Sequence, residues 1–297
     1  MDEIYHDLPF HVSMTTNVQY GTAEDGTPLL LDFAHPKETP GMPPPEKMPV
    51  IIEVHGGGWH LGERSIGRGL LMPLQGFFYA SIDYRLSDVA KFPAQIHDVK
   101  AAIRWVRAHA GQYNLDTERI GLYGGSAGGH LVTLAGSTGD LSELEGNCGW
   151  ADYSTRVHAV AAVNPPTNMT VSHEDWAWLY QDDGPAEWLF GGRLKDHIEL
   201  VKSSGAMNYV HKDAPPHLLI HGIKDEIVPF SQAQMLHNAL IEKGVGSTLV
   251  AFEGEGHGLY GHTVNIWQYV VPFFMKHLGQ PTNYGDPSII KVSTDYV

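Results

Sequence analysis

Short apolar runs alternate along this chain with longer stretches in which apolar residues recur at helical spacing. Pro49-Val50-Ile51-Ile52-Glu53-Val54 is a continuous apolar run, the pattern of a strand covered on both faces. Phe77 to Asp83, Arg119 to Tyr123, Val157 to Val163, His217 to His221 and Thr248 to Phe252 read the same way. Between them, Pro93 to His109 places Ile96, Val99, Ala102, Ile103 and Val106 on one face, with Pro93 suited to a first turn. Further helices are expected from Leu131, from Ser231 to Lys243, and from His262 to His277. This alternation, from residue 49 to 278, predicts an α/β fold with a mostly parallel central sheet flanked by helices.

The ends follow other rules. Val18-Gln19-Tyr20-Gly21 and Leu29 to Phe33, joined across Asp25-Gly26, predict an antiparallel hairpin prefixed to the sheet. Residues 1–16 carry no clear period and are expected to form an N-terminal arm. Residues 35–48 hold five prolines and are expected to be a loop. Residues 164–206 are short of sheet pattern but contain Trp176, Trp178 and Trp188, and are expected to be a small inserted cap or pocket wall. The tail, 280–297, is expected to be irregular. Neither a repeat nor a second boundary interrupts the pattern, so 1–297 is expected to be a single domain.

Composition narrows the function class. A net charge of −15 disfavours phosphate backbones and anionic lipid, so neither nucleic acid nor a membrane surface is an expected partner. Cys148 is the only cysteine, which excludes an internal disulfide. The acidic start, Met1-Asp2-Glu3, lacks the apolar core of a signal peptide, and no apolar run approaches the roughly 18 residues of a membrane span. A cytoplasmic protein, monomer or homodimer, is the expectation.

The chemistry centres on Gly124-Gly125-Ser126-Ala127-Gly128-Gly129-His130, which lies between a predicted strand and a predicted helix. A G-x-S-x-G match arises by chance only about 0.2 times in a chain of this composition. In a strand–turn–helix setting, glycines let strand and helix approach while the serine oxygen stands exposed. Three further motifs each follow a predicted strand. His55-Gly56-Gly57-Gly58-Trp59 can turn backbone N–H groups inward, making Gly57 and Gly58, with Ala127, the candidate oxyanion donors. His221-Gly222-Ile223-Lys224-Asp225-Glu226 offers two carboxylates, of which Asp225, first after the turn, is the candidate orienting acid. Gly256-His257-Gly258 offers the candidate base; His262 stands second because it falls at the start of a helix. Strand ends of such sheets share one crevice, so all four motifs can converge.

With its chain order of Ser126, Asp225 and His257, the sequence resembles the α/β-hydrolase serine esterases, near the feruloyl-esterase-like and hormone-sensitive-lipase-like branches. The resemblance rests on His55 to Trp59, Asp83-Tyr84-Arg85-Leu86, Gly124 to Gly129, His221 to Pro229 and Gly256 to Gly258, and spans about residues 17 to 278. It implies hydrolysis of a small-molecule ester through a Ser–Asp–His triad, with no cofactor and no metal. Gly125 replaces the acidic residue many lipase-like relatives carry before the serine, and the short N-terminus favours the feruloyl-esterase-like branch. Kynurenine formamidases share the His-Gly-Gly-x-Trp loop, which leaves an amidase, arylformamidase or peptidase as the second enzymatic reading. A non-catalytic binding module is the third; it should lack a triad member, and none is missing. Trp59, Trp188 and Tyr260 are candidate substrate-binding residues, with Phe190 beside them; packing in the core is the alternative for each. Asp83 and Arg85 are expected to form a structural ion pair holding the loops near the site, with a substrate clamp as the alternative, and Cys148 to be a bystander. Short-chain acyl or aryl esters are the expected substrates, because no long apolar cap is evident.

Overall fold

The computed structural model describes residues 4–8, 12–37, 45–172, 176–259, 263–279 and 289–292. In chain order the strands are β1 (Ile4–Leu8), β2 (Val12–Thr22), β3 (Pro28–Pro36), β4 (Met48–Val54) and β5 (Phe78–Ile82). Helices α1 (Ala94–Ala108) and α2 (Ala110–Tyr113) precede β6 (Leu115–Gly125), α3 (Ala127–Ser137) and β7 (Ala159–Val163). Two short helices, α4 (Pro185–Phe190) and α5 (Ile198–Ser204), lead to β8 (His217–Gly222), α6 (Ser231–Glu242), β9 (Ser247–Phe252), α7 (Thr263–Leu278) and β10 (Ile289–Val292).

Among the described residues the ten strands form one sheet in the order β1-β2-β3-β5-β4-β6-β7-β8-β9-β10. The pairs β1–β2, β2–β3 and β3–β5 are antiparallel, and every pair from β5 to β10 is parallel. This is the α/β-hydrolase arrangement expected from the alternation of runs. The continuous apolar character of β4 follows from its central place: Val50, Ile52 and Val54 enter one core with α1 and α3, while Ile51 enters the other with α7. Both cores are built of buried apolar side chains, so β4 is apolar on both sides.

Two expectations at the ends are corrected. Within 1–16, the described residues form strands rather than an arm without structure. Ile4–Leu8 pairs with Val12–Thr16, extending the sheet by one strand. The tail is not wholly irregular either, since Ile289–Val292 pairs in parallel with Leu249–Phe252. Both strands are short and have no apolar run of the central kind. At the edge of a sheet, backbone hydrogen bonds supply the pairing and the side chains need carry no strong pattern. The Asp25-Gly26 turn is as expected, with Gly26 at φ +86 and its N–H on the Ala23 carbonyl. β3 runs on through Pro36, so the proline-rich loop begins later than expected.

Candidate active site

The serine sits where β6 stops and α3 starts. Ser126 has φ +54 and ψ −120, a conformation L-residues adopt only when the surroundings impose it. Its N–H donates to the Val163 carbonyl of β7 at 2.8 Å, and its carbonyl receives the His130 N–H at 2.9 Å. The flanking glycines are needed for approach. A Cβ on Gly128 would collide with the Val54 carbonyl, and one on Gly124 would lie 2.6 Å from the Gly128 carbonyl carbon. Gly128→Ala is therefore expected to lower unfolding stability by about 4 kcal/mol or more, because rigid backbone, not a mobile side chain, blocks the added methyl. Thermal unfolding of the purified variant checks this; a melting temperature within a degree of wild type would contradict it.

The glycine loop after β4 reaches this turn directly. A Cβ on Gly56 would lie 2.8 Å from the Gly125 carbonyl and 3.4 Å from Ser126 Cβ. Gly57 (φ +111) and Gly58 (φ +59) occupy left-handed conformations, and the Gly57 carbonyl is tied back to the N–H groups of His60 and Leu61. Ala127 opens α3, so its N–H has no acceptor within the helix. Gly56 thus abuts the serine turn, Gly57 and Gly58 follow it in the same loop, and Ala127 adjoins Ser126 in the chain.

Asp225 and His257 arrive on the loops after β8 and β9. The loops are joined: Lys224 N–H donates to the Glu255 carbonyl at 2.9 Å, and Gly222 packs against the Glu255 and Gly256 carbonyls. His257 Nε2 lies 2.9 Å from Ser126 Oγ, and His257 Nδ1 lies 2.8 Å from Asp225 Oδ2. Because a carboxylate only accepts, Nδ1 carries the hydrogen and Nε2 presents its lone pair to the serine hydroxyl. Asp225 Oδ1 accepts the N–H groups of Ile227 and Val228 at 2.9 and 2.8 Å. Burial alone would raise the Asp225 pKa. Hydrogen bonds from His221, His257 and the Val228 N–H outweigh it and hold the carboxyl well below the usual carboxylate range.

Several expected neighbours take other places. Trp59 does not stand in an open pocket: it is 1% exposed, packs in the core below the glycine loop, and donates Nε1–H to His130 Nδ1 at 3.0 Å. Phe190 is likewise a core residue, edge-on to Phe92. Trp188 is half-buried with its ring centroid 4.7 Å from that of His60, the residue after Trp59, and its Nε1–H donates to Asp183. Tyr260 and His262 lie outside the described residues. Asp83 and Arg85 are not partners of one another. Asp83 pairs with Arg64, which also binds Asp32 at 2.9 Å, while Arg85 pairs with buried Asp98 at 2.7 Å. Each finds its partner on another segment of the chain. Cys148 is buried beside Asp98, and burial pushes its thiol up to about 12.

Two supporting residues carry no distinctive signal in the sequence. His130 is fully buried, accepts from Trp59, and donates Nε2–H to the Ser204 carbonyl at 2.7 Å; burial lowers its pKa to about 4. It thus links the glycine loop, the serine helix and the segment 164–206, the expected cap. Trp178 projects from the cap so that its Cη2 is 4.0 Å from the place a Gly58 Cβ would occupy. The cap is fastened to α6, since Gln232 Oε1 accepts the Thr167 and Asn168 N–H groups at 2.9 and 2.8 Å. Trp176 Nε1–H adds a bond to the Ile227 carbonyl, next to Asp225, at 2.6 Å. No cluster of three or more His, Cys, Asp or Glu among the described residues is placed to hold a metal ion, and none of their helices is long and apolar enough to cross a membrane.

Known proteins share this architecture. A family model described as BD-FAE matches residues 31–240. Esterase LipQ of Mycobacterium tuberculosis is 32% identical over 247 residues, covering 81% of this chain and 56% of LipQ. The chain thus spans little more than half the length of that curated relative. A truncated carbohydrate esterase from gut microbiota is 32% identical, with a TM-score of 0.76 over 89% of this chain and 95% of its own. A thermophilic esterase from Thermogutta terrifontis with propionate bound is 26% identical, with a TM-score of 0.70 over 91% of this chain and 96% of its own.

Proposed function

The chain belongs to the BD-FAE family, within the esterase class of α/β hydrolases, and from that premise we propose that it hydrolyses short-chain acyl or aryl carboxylic esters with a Ser126–His257–Asp225 triad. The observation that carries the reading is the unbroken hydrogen-bond chain from Ser126 Oγ through His257 to Asp225, at 2.9 and 2.8 Å. Residues 1–297 act as one catalytic domain on a small-molecule ester.

Ser126 Oγ attacks the ester carbonyl carbon while His257 Nε2 takes the hydroxyl proton. The carbonyl oxygen becomes an oxyanion held by the N–H groups of Gly57, Gly58 and Ala127; one such donor is worth about 2.7–4 kcal/mol of barrier. The bond from carbon to the alcohol oxygen then breaks, and His257 returns its proton to that oxygen. Water attacks the acyl-enzyme with His257 as base, a second oxyanion forms in the same place, and the Ser126 oxygen leaves with the proton. Asp225 keeps the hydrogen on Nδ1 and stabilises the imidazolium in both steps.

The short-chain preference rests on Trp178, whose ring tip stands over Gly58 on the approach to the glycine loop. The propionate-bound relative supports it, and the carbohydrate esterase brings sugar acetates into the substrate panel. Wild type is expected to turn over p-nitrophenyl acetate and butyrate best. Trp178→Ala is expected to move the optimum toward octanoate, raising kcat/KM for it relative to acetate by about 10-fold or more, since even one methylene in an apolar pocket is worth about 1–3 kcal/mol. A series from acetate to palmitate, with methyl ferulate, xylose tetraacetate and N-formylkynurenine beside it, checks the assignment. A wild-type maximum at palmitate would refute the short-chain reading, and a preference for the formamide would replace it by the amidase one.

A further inference from the structure

An ionised carboxylate offers about four lone-pair sites to donors, and at Asp225 four donors surround the group. Oδ1 holds the Ile227 and Val228 N–H groups. Oδ2 holds His257 Nδ1 at 2.8 Å and lies 3.3 Å from Nε2 of a second histidine, His221. His221 is the penultimate residue of β8 and is fully buried. Its Nε2 also stands 2.8 Å from the Val228 carbonyl. Both atoms within reach of Nε2 are acceptors, so Nε2 carries the hydrogen and shares it between them. Nδ1 is left with a bare lone pair, buried and without a hydrogen-bond partner.

Packing alone gives no reason for an imidazole here. Leucine would fill similar space against Phe230, whose ring meets His221 edge-on at 5.7 Å, and would bury no orphaned nitrogen. What leucine lacks is the N–H aimed at Asp225. Among the described residues Asp225 is the charged group in contact with the ring, and His257 is the next titratable group, reached through it.

We infer that His221 is a positioning residue for catalysis: its Nε2–H holds Asp225 Oδ2 toward His257 Nδ1 and draws off part of the charge that His257 would otherwise feel. The inference rests on the proposed role of Asp225 as the group that orients His257. The low pKa of Asp225, to which the His221 hydrogen bond contributes, agrees with it.

The test is kcat and KM against pH for His221→Leu and His221→Gln on p-nitrophenyl acetate. His221→Leu is expected to lose about 10- to 100-fold in kcat with KM little changed, the range seen when a partner that orients a functional ligand is removed. Its acid limb in kcat/KM moves to higher pH, because an Oδ2 freed of one donor raises the basicity of His257. Glutamine can carry an amide N–H close to the place of Nε2, so His221→Gln regains most of the rate and the wild-type limb. A folded His221→Leu with wild-type kcat and an unmoved limb overturns the inference. Should His221→Leu not fold, nitrogen NMR of the histidine-labelled wild type decides: hydrogen on Nε2 of His221 supports the inference, and hydrogen on Nδ1 overturns it. The two readings fail separately. An active Asp225→Asn would sink the triad, whereas a crippled Asp225→Asn beside an unaffected His221→Leu would sink only the role of His221.

Discussion

Ser126→Ala is expected to lower kcat on p-nitrophenyl acetate by about 10⁴- to 10⁶-fold while the protein stays folded. The size follows from what remains. Without Oγ no acyl-enzyme can form, and His257 loses the proton it is placed to take at 2.9 Å. The proposed oxyanion donors, the N–H groups of Gly57, Gly58 and Ala127, survive, so a residual rate above that in water is expected. Stability should change little, because the structural bonds of Ser126 are made by its backbone, to Val163 and His130. The φ of +54 is also no harder for alanine than for serine. Steady-state kinetics beside thermal unfolding checks the pair of claims, and labelling by a fluorophosphonate should vanish with the hydroxyl. Wild-type turnover by the variant would remove Ser126 from the reaction.

Asp225→Asn is expected to cost about 10³- to 10⁴-fold in kcat. The loop dictates which way the amide points. The site of Oδ1 receives two backbone N–H groups, from Ile227 and Val228, so the amide oxygen must occupy it. The amide NH₂ is then turned to where Oδ2 stood, facing His257 Nδ1. A donor there makes Nδ1 accept and leaves the hydrogen on Nε2, pointing at Ser126, where a lone pair is needed. The variant should also titrate differently. Asp225 has a folded pKa below its unfolded value, so its contribution to stability is present above the ordinary carboxylate pKa and is lost as pH falls through the depressed folded value. Between about pH 4 and pH 2 the wild type should therefore lose melting temperature more steeply than Asp225→Asn. Parallel slopes across that range would contradict the electrostatic account of the loop.

The parts of the site that were legible in advance are those where one residue type at one backbone position is the whole requirement. Gly128 meets the Val54 carbonyl and Gly56 the Gly125 carbonyl, so no other side chain fits, and the motif is written in the glycines themselves. The central strands were legible for a similar reason, since burial on both faces leaves little choice but an apolar run. The side chains around the site were not. Trp59 reads equally well as pocket wall or core, and only its bond to His130 and its burial decide. Asp83 and Arg85 are two apart and opposite in charge, but their partners, Arg64 and Asp98, lie on other segments of the chain.

From the order of its apolar runs and four motifs, the chain by itself determined the α/β architecture and pointed to the proposed order of serine, acid and histidine and to the glycine loop. These depend on local backbone demands and on the rule that strand ends share a crevice. Tertiary structure alone decided that Trp178 stands over Gly58, that His130 ties loop to cap, and that Asp225 Oδ2 is shared by two histidines. Each of those is a meeting of side chains from segments distant in sequence or bent by a loop. Spacing along the chain carries no record that His221, one of 18 histidines, faces Asp225 beside His257 once the sheet has formed.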